Sequence, residues 1–94
     1  MTFEQYHFNE IALNVLTPEE TAMAKTFARF VYEIKKLEKL YKETGDESYK
    51  AMANSRNSKN MEFYQAVKSM GTDMKLFNRV YDKFYRQMLA DRPL

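Results

Sequence analysis

Residues 17–45 read TPEETAMAKTFARFVYEIKKLEKLYKETG, and this stretch decides the fold class because it contains both ends of a helix. Thr17 is a favourable N-cap, a proline follows at the first helical position, and Glu20 completes a capping box. Gly45 is the kind of residue that follows a last helical turn. Nothing between these ends interrupts a helix. The sequence therefore predicts one helix over about residues 18–44, roughly 40 Å long.

The apolar side chains inside this predicted helix are spaced alternately four and three residues apart. This spacing is a heptad repeat, which places them in one stripe along the helix, whereas the alternation of a strand fits none of them. We therefore expect the stripe to form one wall of the core. Its members are Met23, Phe27, Phe30, Ile34, Leu37 and Tyr41.

The same spacing of apolar residues recurs in the last third of the chain. Gly71-Thr72-Asp73 lies inside this region, and read alone it is typical of a helix end followed by a new N-cap. The apolar phase nevertheless continues through Gly71 without a slip, which favours one continuous helix over about residues 61–90. Its stripe consists of Phe63, Val67, Met70, Met74, Phe77, Tyr81, Phe84 and Met88.

Two further segments are predicted from end signals and polar composition. A Thr-x-x-Gln capping box near the N-terminus favours a short helix over about residues 3–15. Residues 54–60 are all polar, and their Asn and Ser side chains compete with the backbone for hydrogen bonds. We therefore expect a loop over residues 45–60, with a helical turn at 47–53.

The predicted fold is all-α, a long antiparallel hairpin of helices at about 18–44 and 61–90 with a short N-terminal helix, and it can dimerise into a bundle. The length suits one domain spanning residues 1–94. Two glycines and two prolines offer too little turn chemistry for a β-sandwich or barrel. The side chains that we expect to be mostly buried are Phe27, Phe30, Ile34, Phe77, Tyr81 and Phe84.

Residue types that carry out catalysis are scarce in this sequence. There is no cysteine, and His7 is the only histidine, so no thiolate site or two-histidine metal site can form within one chain. Glu4-x-x-His7 has the spacing of di-iron bundles, but the second such pair and the further inward glutamates are missing. We therefore expect no enzymatic activity, no cofactor and no metal ion.

Composition also bears on the compartment. No apolar run approaches the roughly 20 residues that a membrane span needs, and a chain without cysteine fits a reducing environment. We therefore expect a cytoplasmic protein that does not contact a membrane.

Apolar residues outside the two stripes favour a protein partner, because a two-helix hairpin buries only one stripe on each helix. Tyrosine and arginine are also enriched at interface hot spots. The leading hypothesis is a small, non-catalytic and self-associating protein-interaction module. It would act as an inhibitor or an adaptor, a class common among phage and mobile-element proteins. The candidate partner-binding residues are Arg29, Tyr32, Leu40, Tyr64, Leu76, Arg79, Tyr85 and Arg86.

Nucleic-acid binding is the alternative hypothesis, because basic residues interleaved with tyrosines form stripes that can hold phosphates and stack on bases. Nearby acidic residues and a net charge of only +2 weigh against it. The candidate nucleic-acid-binding residues are Lys25, Arg29, Lys36, Lys39, Lys68, Lys75 and Arg79.

Overall fold

The computed structural model describes residues 15–94, which form three α-helices and no strand within that range. Helix α1 spans Pro18–Thr44, helix α2 spans Glu47–Ser69, and helix α3 spans Met74–Asp91. The predicted all-α class is confirmed. Of the helix predicted over 3–15, residues 3–14 lie outside the described part, and residue 15 is in a bend. None of the three helices is long and apolar enough to cross a membrane.

Helix α1 begins and ends at the residues that its sequence signals indicate. The Thr17 hydroxyl oxygen accepts a hydrogen bond from the Glu20 backbone N–H at 3.0 Å, and the Glu20 carboxylate accepts one from the Thr17 N–H at 2.9 Å. At the other end Gly45 has a φ of +71° and donates its N–H to the Tyr41 carbonyl. These caps fix both ends of the helix because they satisfy backbone groups that lack intrahelical partners.

The predicted continuous helix over 61–90 is wrong. Helix α2 ends at Ser69, Gly71 has a φ of +84°, and the Asp73 carboxylate caps α3 by accepting a hydrogen bond from the Leu76 N–H. The apolar phase continues across the break because both helices direct their apolar faces onto α1. The turn at Gly71 lets α3 fold back onto the core.

The predicted loop over 45–60 is also wrong, since Gly45 and Asp46 alone connect α1 to α2. The helical turn predicted at 47–53 is the first part of α2. The Asp46 carboxylate caps α2 by accepting a hydrogen bond from the Ser48 N–H at 2.9 Å. The polar run 54–60 is helical, with Asn60 buried at its end. Helix propensities of ordinary residues differ by at most about 0.7 kcal/mol, so a good cap and packing on α1 outweigh them.

Helix α2 runs back along α1. Ala53, in the first half of α2, packs with Ile34 and Leu37, whereas Phe63, in the second half, stacks on Phe27. The order of contacts along one helix is thus reversed along the other, as a short connection between neighbouring helices requires.

Helix α3 runs in the same direction as α1. Phe77, near its start, contacts Phe27, and the Arg92 carbonyl just beyond its end accepts a hydrogen bond from the Tyr32 hydroxyl at 2.7 Å. Helix α1 packs extensively against both other helices, while α2 and α3 meet each other over far less surface. The two outer helices therefore leave a groove between them, with α1 as its floor.

Only some of the six side chains that the sequence predicts to be mostly buried are buried in the structure. Phe27, Ile34 and Phe77 are buried, Tyr81 and Phe84 are half-buried, and Phe30 is 38% exposed. The expectation for Phe30 is wrong because its ring lies at the edge of the α1–α2 contact, where it meets Phe63 edge-on. The buried core side chains are Ala24, Phe27, Ala28, Ile34, Leu37, Ala53, Val67 and Phe77.

Candidate functional site

The space between the two outer helices is an open concave surface with a volume of about 600 Å³, and we refer to it as the α2–α3 groove. It exists because α2 and α3 each contact α1 more than each other. The bend at Gly71 is therefore what creates this surface. Its lining residues are Phe27, Met61, Tyr64, Asn78, Arg79, Tyr81 and Asp82.

The floor of the α2–α3 groove is aromatic. The Phe27 ring lies 5.3 Å from the Tyr64 ring and 4.8 Å from the Tyr81 ring, between centroids, and the Tyr81 contact is edge-on. Phe77 supports them from beneath, 5.8 Å from Phe27, and is fully buried. Such offset and edge-on pairs stabilise aromatic clusters beyond simple burial. The floor is consequently a firmly held apolar surface.

Polar side chains border this floor. The Tyr64 hydroxyl donates a hydrogen bond to the Asn78 side-chain oxygen at 3.0 Å, and Asp82 forms an ion pair with Arg86 at 2.8 Å. Arg79 is exposed and forms no ion pair with another residue of the range 15–94. Among the described residues, the Arg79 guanidinium is thus the positive charge of the groove lining.

Tyr81 remains a neutral hydrogen-bond donor at physiological pH. Burial raises its pKa above the ordinary value of 10.0, and the nearby Asp82 carboxylate raises the pKa further, while Lys35 opposes the shift. A phenol in this environment offers a hydroxyl to a carbonyl or carboxylate without carrying charge.

Met61 is the most exposed apolar side chain of the groove lining, at 47%. Met52 lies on the same helix with a similar exposure of 43%. The two residues are nine positions apart, which places them on opposite sides of α2 at about 100° per residue. Met52 therefore provides a matched reference position outside the groove.

The predicted partner-binding residues divide between two surfaces. Tyr64 and Arg79 line the groove, and Arg86 lies at its rim through its ion pair with Asp82. Tyr85 is close enough to Tyr81 to affect its titration.

The other predicted partner-binding residues lie elsewhere. Arg29, Tyr32 and Leu40 line two smaller cavities between α1 and the end of α3, and Leu76 is half-buried outside the groove. Sequence reasoning missed Met61, Asn78 and Asp82, and the Gly71-Thr72-Asp73 signal for a helix break could have found them. With that break, the side of α3 that carries Asn78 and Asp82 faces α2.

The predicted basic stripes are only partly continuous. Lys25, Arg29, Lys36 and Lys39 are exposed along α1, although Lys39 pairs with Glu43. The last three candidates fall within or near the helix predicted over 61–90, where they would continue one stripe, and the bend at Gly71 makes that arrangement wrong. They are divided, with Lys68 on α2 and both Lys75 and Arg79 on α3.

Within residues 15–94, no group of three or more His, Cys, Asp or Glu side chains is placed to hold a metal ion. Comparison of the chain with family models, with curated proteins and with solved structures finds no match. The function therefore has to be argued from the groove and the charged surfaces themselves.

Proposed function

We propose that this chain is a small non-catalytic protein-interaction module that holds a partner in the α2–α3 groove, and so acts as an inhibitor or an adaptor. The observation that carries the proposal is the aromatic floor of an open concave surface between two helices, where Tyr64 and Tyr81 are half-buried and rest on the buried Phe27. Rigid aromatic side chains bury a large area and lose little conformational freedom on binding, which is why tyrosine is enriched at hot spots.

The residues around the floor suit a protein ligand. Met61 is flexible and polarisable, so it can adapt to the partner's apolar side chain. Covering its exposed half contributes about 1 kcal/mol, since burying a whole methionine side chain contributes about 1.5–3 kcal/mol. Arg79 and the Tyr81 hydroxyl supply a polar rim that can pair with a carboxylate. The groove thus combines an apolar centre with a polar edge.

Self-association belongs to the same proposal. The exposed apolar residues Phe30 and Met70 lie away from the groove lining, and a second copy of the chain can cover such residues. Light scattering across a range of protein concentrations tests this part. A mass that stays that of one chain at every concentration would contradict self-association and leave the groove proposal intact.

A photo-crosslinking experiment tests the groove proposal. A photoreactive amino acid is placed at position 61 in one variant and at position 52 in another, and each is irradiated in cells of the native host. We expect a defined covalent protein adduct from position 61, at least tenfold more abundant than any adduct from position 52. Equal adducts from both positions, or none from position 61, would contradict a partner in the groove.

Nucleic-acid binding is the second candidate, favoured by one specific arrangement. Arg29, Lys36 and Arg92 line a cavity of about 400 Å³ beside Tyr32, although Glu33 and Asp91 line it too. If these cations bind phosphates, affinity falls steeply as salt rises, and removing each charge reduces the slope by about one. Titration of labelled oligonucleotides with the wild type and Lys36→Gln measures this. Undetectable binding at low salt would exclude it.

A further inference from the structure

We propose that two copies of this chain exchange α3 by opening the turn at residues 70–73, so that α3 of each copy packs on α1 and α2 of the other. The exchange rests on the self-association in the proposed function and gives it a route. A second copy is the partner because an exchanged α3 makes the same contacts that the structure already shows within one chain. Such exchange of an identical element is a low-cost route to a dimer.

The turn between α2 and α3 is the part of the fold that has to change. It consists of residues 70–73, and Gly71 within it has a φ of +84°. Helix α3 packs extensively on α1 and shares little surface with α2, so the turn is the main link between the two outer helices. Opening it leaves every contact of α3 with the core to be made again in the dimer, and short hinge loops favour this kind of exchange.

The apolar spacing favours an opened turn that is helical. The stripe of α2 continues into the stripe of α3 without a slip, through Val67, Met70, Met74 and Phe77. If the turn becomes helical, residues 47–91 form one helix roughly 68 Å long with a continuous apolar stripe. Helix α1 of the same copy then covers the first part of that stripe, and α1 of the second copy covers the last part.

Met70 shows what the closed turn leaves uncovered. Its side chain is 58% exposed, although it lies in the stripe between Val67 and Phe77, which are both buried. In a two-fold dimer the opened turns of the two copies lie together at the symmetry axis, so Met70 of one copy meets Met70 of the other. The second copy thus covers an apolar side chain that a single chain exposes.

Thr72 is a second residue of the turn that the closed form does not satisfy. It is buried, and its hydroxyl oxygen forms no hydrogen bond of good geometry within residues 15–94, although the Glu20 carboxylate lies nearby. A buried polar group without a partner is destabilising. In a helical turn the Thr72 hydroxyl can donate to the Lys68 carbonyl four residues earlier. Both unsatisfied side chains therefore occur at the segment that exchange requires to open.

Exchange also changes which chain builds each side of the α2–α3 groove. Met61 and Tyr64 come from one copy, whereas Asn78, Arg79 and Tyr81 come from the other. The hydrogen bond between the Tyr64 hydroxyl and the Asn78 oxygen then joins two chains. The dimer keeps two complete grooves, so partner binding is compatible with both the closed monomer and the exchanged dimer.

Crosslinking within an isolated dimer tests the exchange directly, because the natural sequence has no cysteine. One variant carries Tyr32→Cys with Arg92→Cys, since the hydrogen bond between these residues lies across α1 and the end of α3. The control carries Glu33→Cys with Arg56→Cys, whose ion pair joins α1 to α2. Each variant is refolded from denaturant at high protein concentration, its dimer is isolated by size exclusion, and a short bismaleimide is added.

We expect the dimer of the first variant to give at least tenfold more linked pairs of chains than single chains on a denaturing gel. The control dimer should give single chains, because α1 and α2 of one copy stay together. A dimer whose link between positions 32 and 92 stays within each chain would overturn the exchange and leave self-association intact. The absence of any dimer would overturn both.

Gly71→Ala measures the preference of the turn itself. Alanine disfavours the φ of +84° and favours a helix, so we expect light scattering to show at least a tenfold higher association constant. Gly45→Ala is the matched control, because it also has a positive φ but lies in the turn between α1 and α2. Equal association of the two variants would contradict an exchange at residues 70–73.

Met70→Lys tests the contact at the symmetry axis. Two lysines would meet there, so we expect at least a tenfold lower association constant than in the wild type. Met52→Lys is the control at an exposed methionine on α2 away from the turn. Unchanged association in Met70→Lys, or an equal loss in both variants, would overturn the proposal.

Discussion

The Tyr64 hydroxyl of α2 donates a hydrogen bond to the Asn78 side-chain oxygen of α3 at 3.0 Å. The two helices share little other surface, so this bond joins the walls of the α2–α3 groove directly. It lies beside the contact between the Tyr64 and Phe77 rings, whose centroids are 6.1 Å apart. The bond therefore helps to set the width of the groove.

A double-mutant cycle measures the strength of this bond. We expect Tyr64→Phe to lower the free energy of unfolding by about 1 kcal/mol, since it leaves the half-buried Asn78 oxygen without its donor. The double variant Tyr64→Phe/Asn78→Ala should lose less free energy of unfolding than the sum of the losses of the two single variants. The difference, which is the coupling energy of the pair, should be about 0.5–1.5 kcal/mol. Denaturant unfolding of the four proteins gives these values, and strict additivity would show that the bond is not formed in solution.

Phe27 is the side chain on which the packing of all three helices depends. Phe27→Ala should lower the free energy of unfolding by about 3–5 kcal/mol, because it removes a buried ring that contacts both α2 and α3. Phe30→Ala is the matched control on the same helix, and its cost should be about 1 kcal/mol because the ring is 38% exposed. Similar losses for the two variants would contradict the placement of the core.

Gly71→Ala distinguishes the observed helix break from a continuous helix by the sign of its effect. At a φ of +84° an alanine is strained, so we expect a loss of about 1 kcal/mol, although no neighbouring atom would clash with the added methyl group. Inside a continuous helix the same change would instead stabilise the protein by about 1 kcal/mol. Gly45→Ala, at a φ of +71°, should destabilise as Gly71→Ala does.

Acid should weaken the protein partly through the cap of α1. The Thr17 backbone N–H, hydrogen-bonded to Glu20, lowers the pKa of that carboxyl below its ordinary 4.5, and the nearby Thr72 hydroxyl contributes, although no hydrogen bond of good geometry joins them. Because the pKa of Glu20 is lower in the folded state, its carboxylate stabilises the fold at a pH above its pKa in the unfolded state. This stabilisation is lost as the pH falls through its pKa in the folded state. Unfolding measured between about pH 6 and about pH 3 should depend less on pH in Glu20→Gln than in the wild type. Glu19→Gln is the control, and an equal reduction in that variant would contradict the cap as the cause.

The sequence predicts α1 well because its end signals and its heptad stripe agree. Thr17, Glu20 and Gly45 all act at the positions that local chemistry assigns them. At Gly71 the apolar periodicity predicts a continuous helix, whereas the Gly71-Thr72-Asp73 signal predicts a helix end and a new N-cap. The helix-end signal is the correct one. Apolar periodicity records which residues face the core, and two helices that pack on the same partner can keep one phase across a turn.

The groove could not be predicted from the sequence for the same reason. In the predicted fold, Met61 and Asp82 lie on the same continuous helix over 61–90. A groove needs two helices to line it, so that fold contains none. The sequence pattern does indicate Tyr64 and Tyr85 as partner-binding residues, because neither belongs to the apolar stripe. Tyr64 lines the groove. What sequence alone could not supply is the tertiary angle between α2 and α3, which depends on packing against α1.

The central claim is that the α2–α3 groove holds a protein partner, and the affinity of Met61→Lys for that partner tests it most directly. With the crosslinked protein purified, calorimetry would compare the wild type, Met61→Lys and Met52→Lys. A lysine at position 61 places a charge against the aromatic floor, so we expect at least a tenfold loss of affinity, or about 1.4 kcal/mol. Met52→Lys should bind within about twofold of the wild type, because it changes an equally exposed methionine on the opposite side of α2. Wild-type affinity in Met61→Lys, or an equal loss in both variants, would contradict the claim.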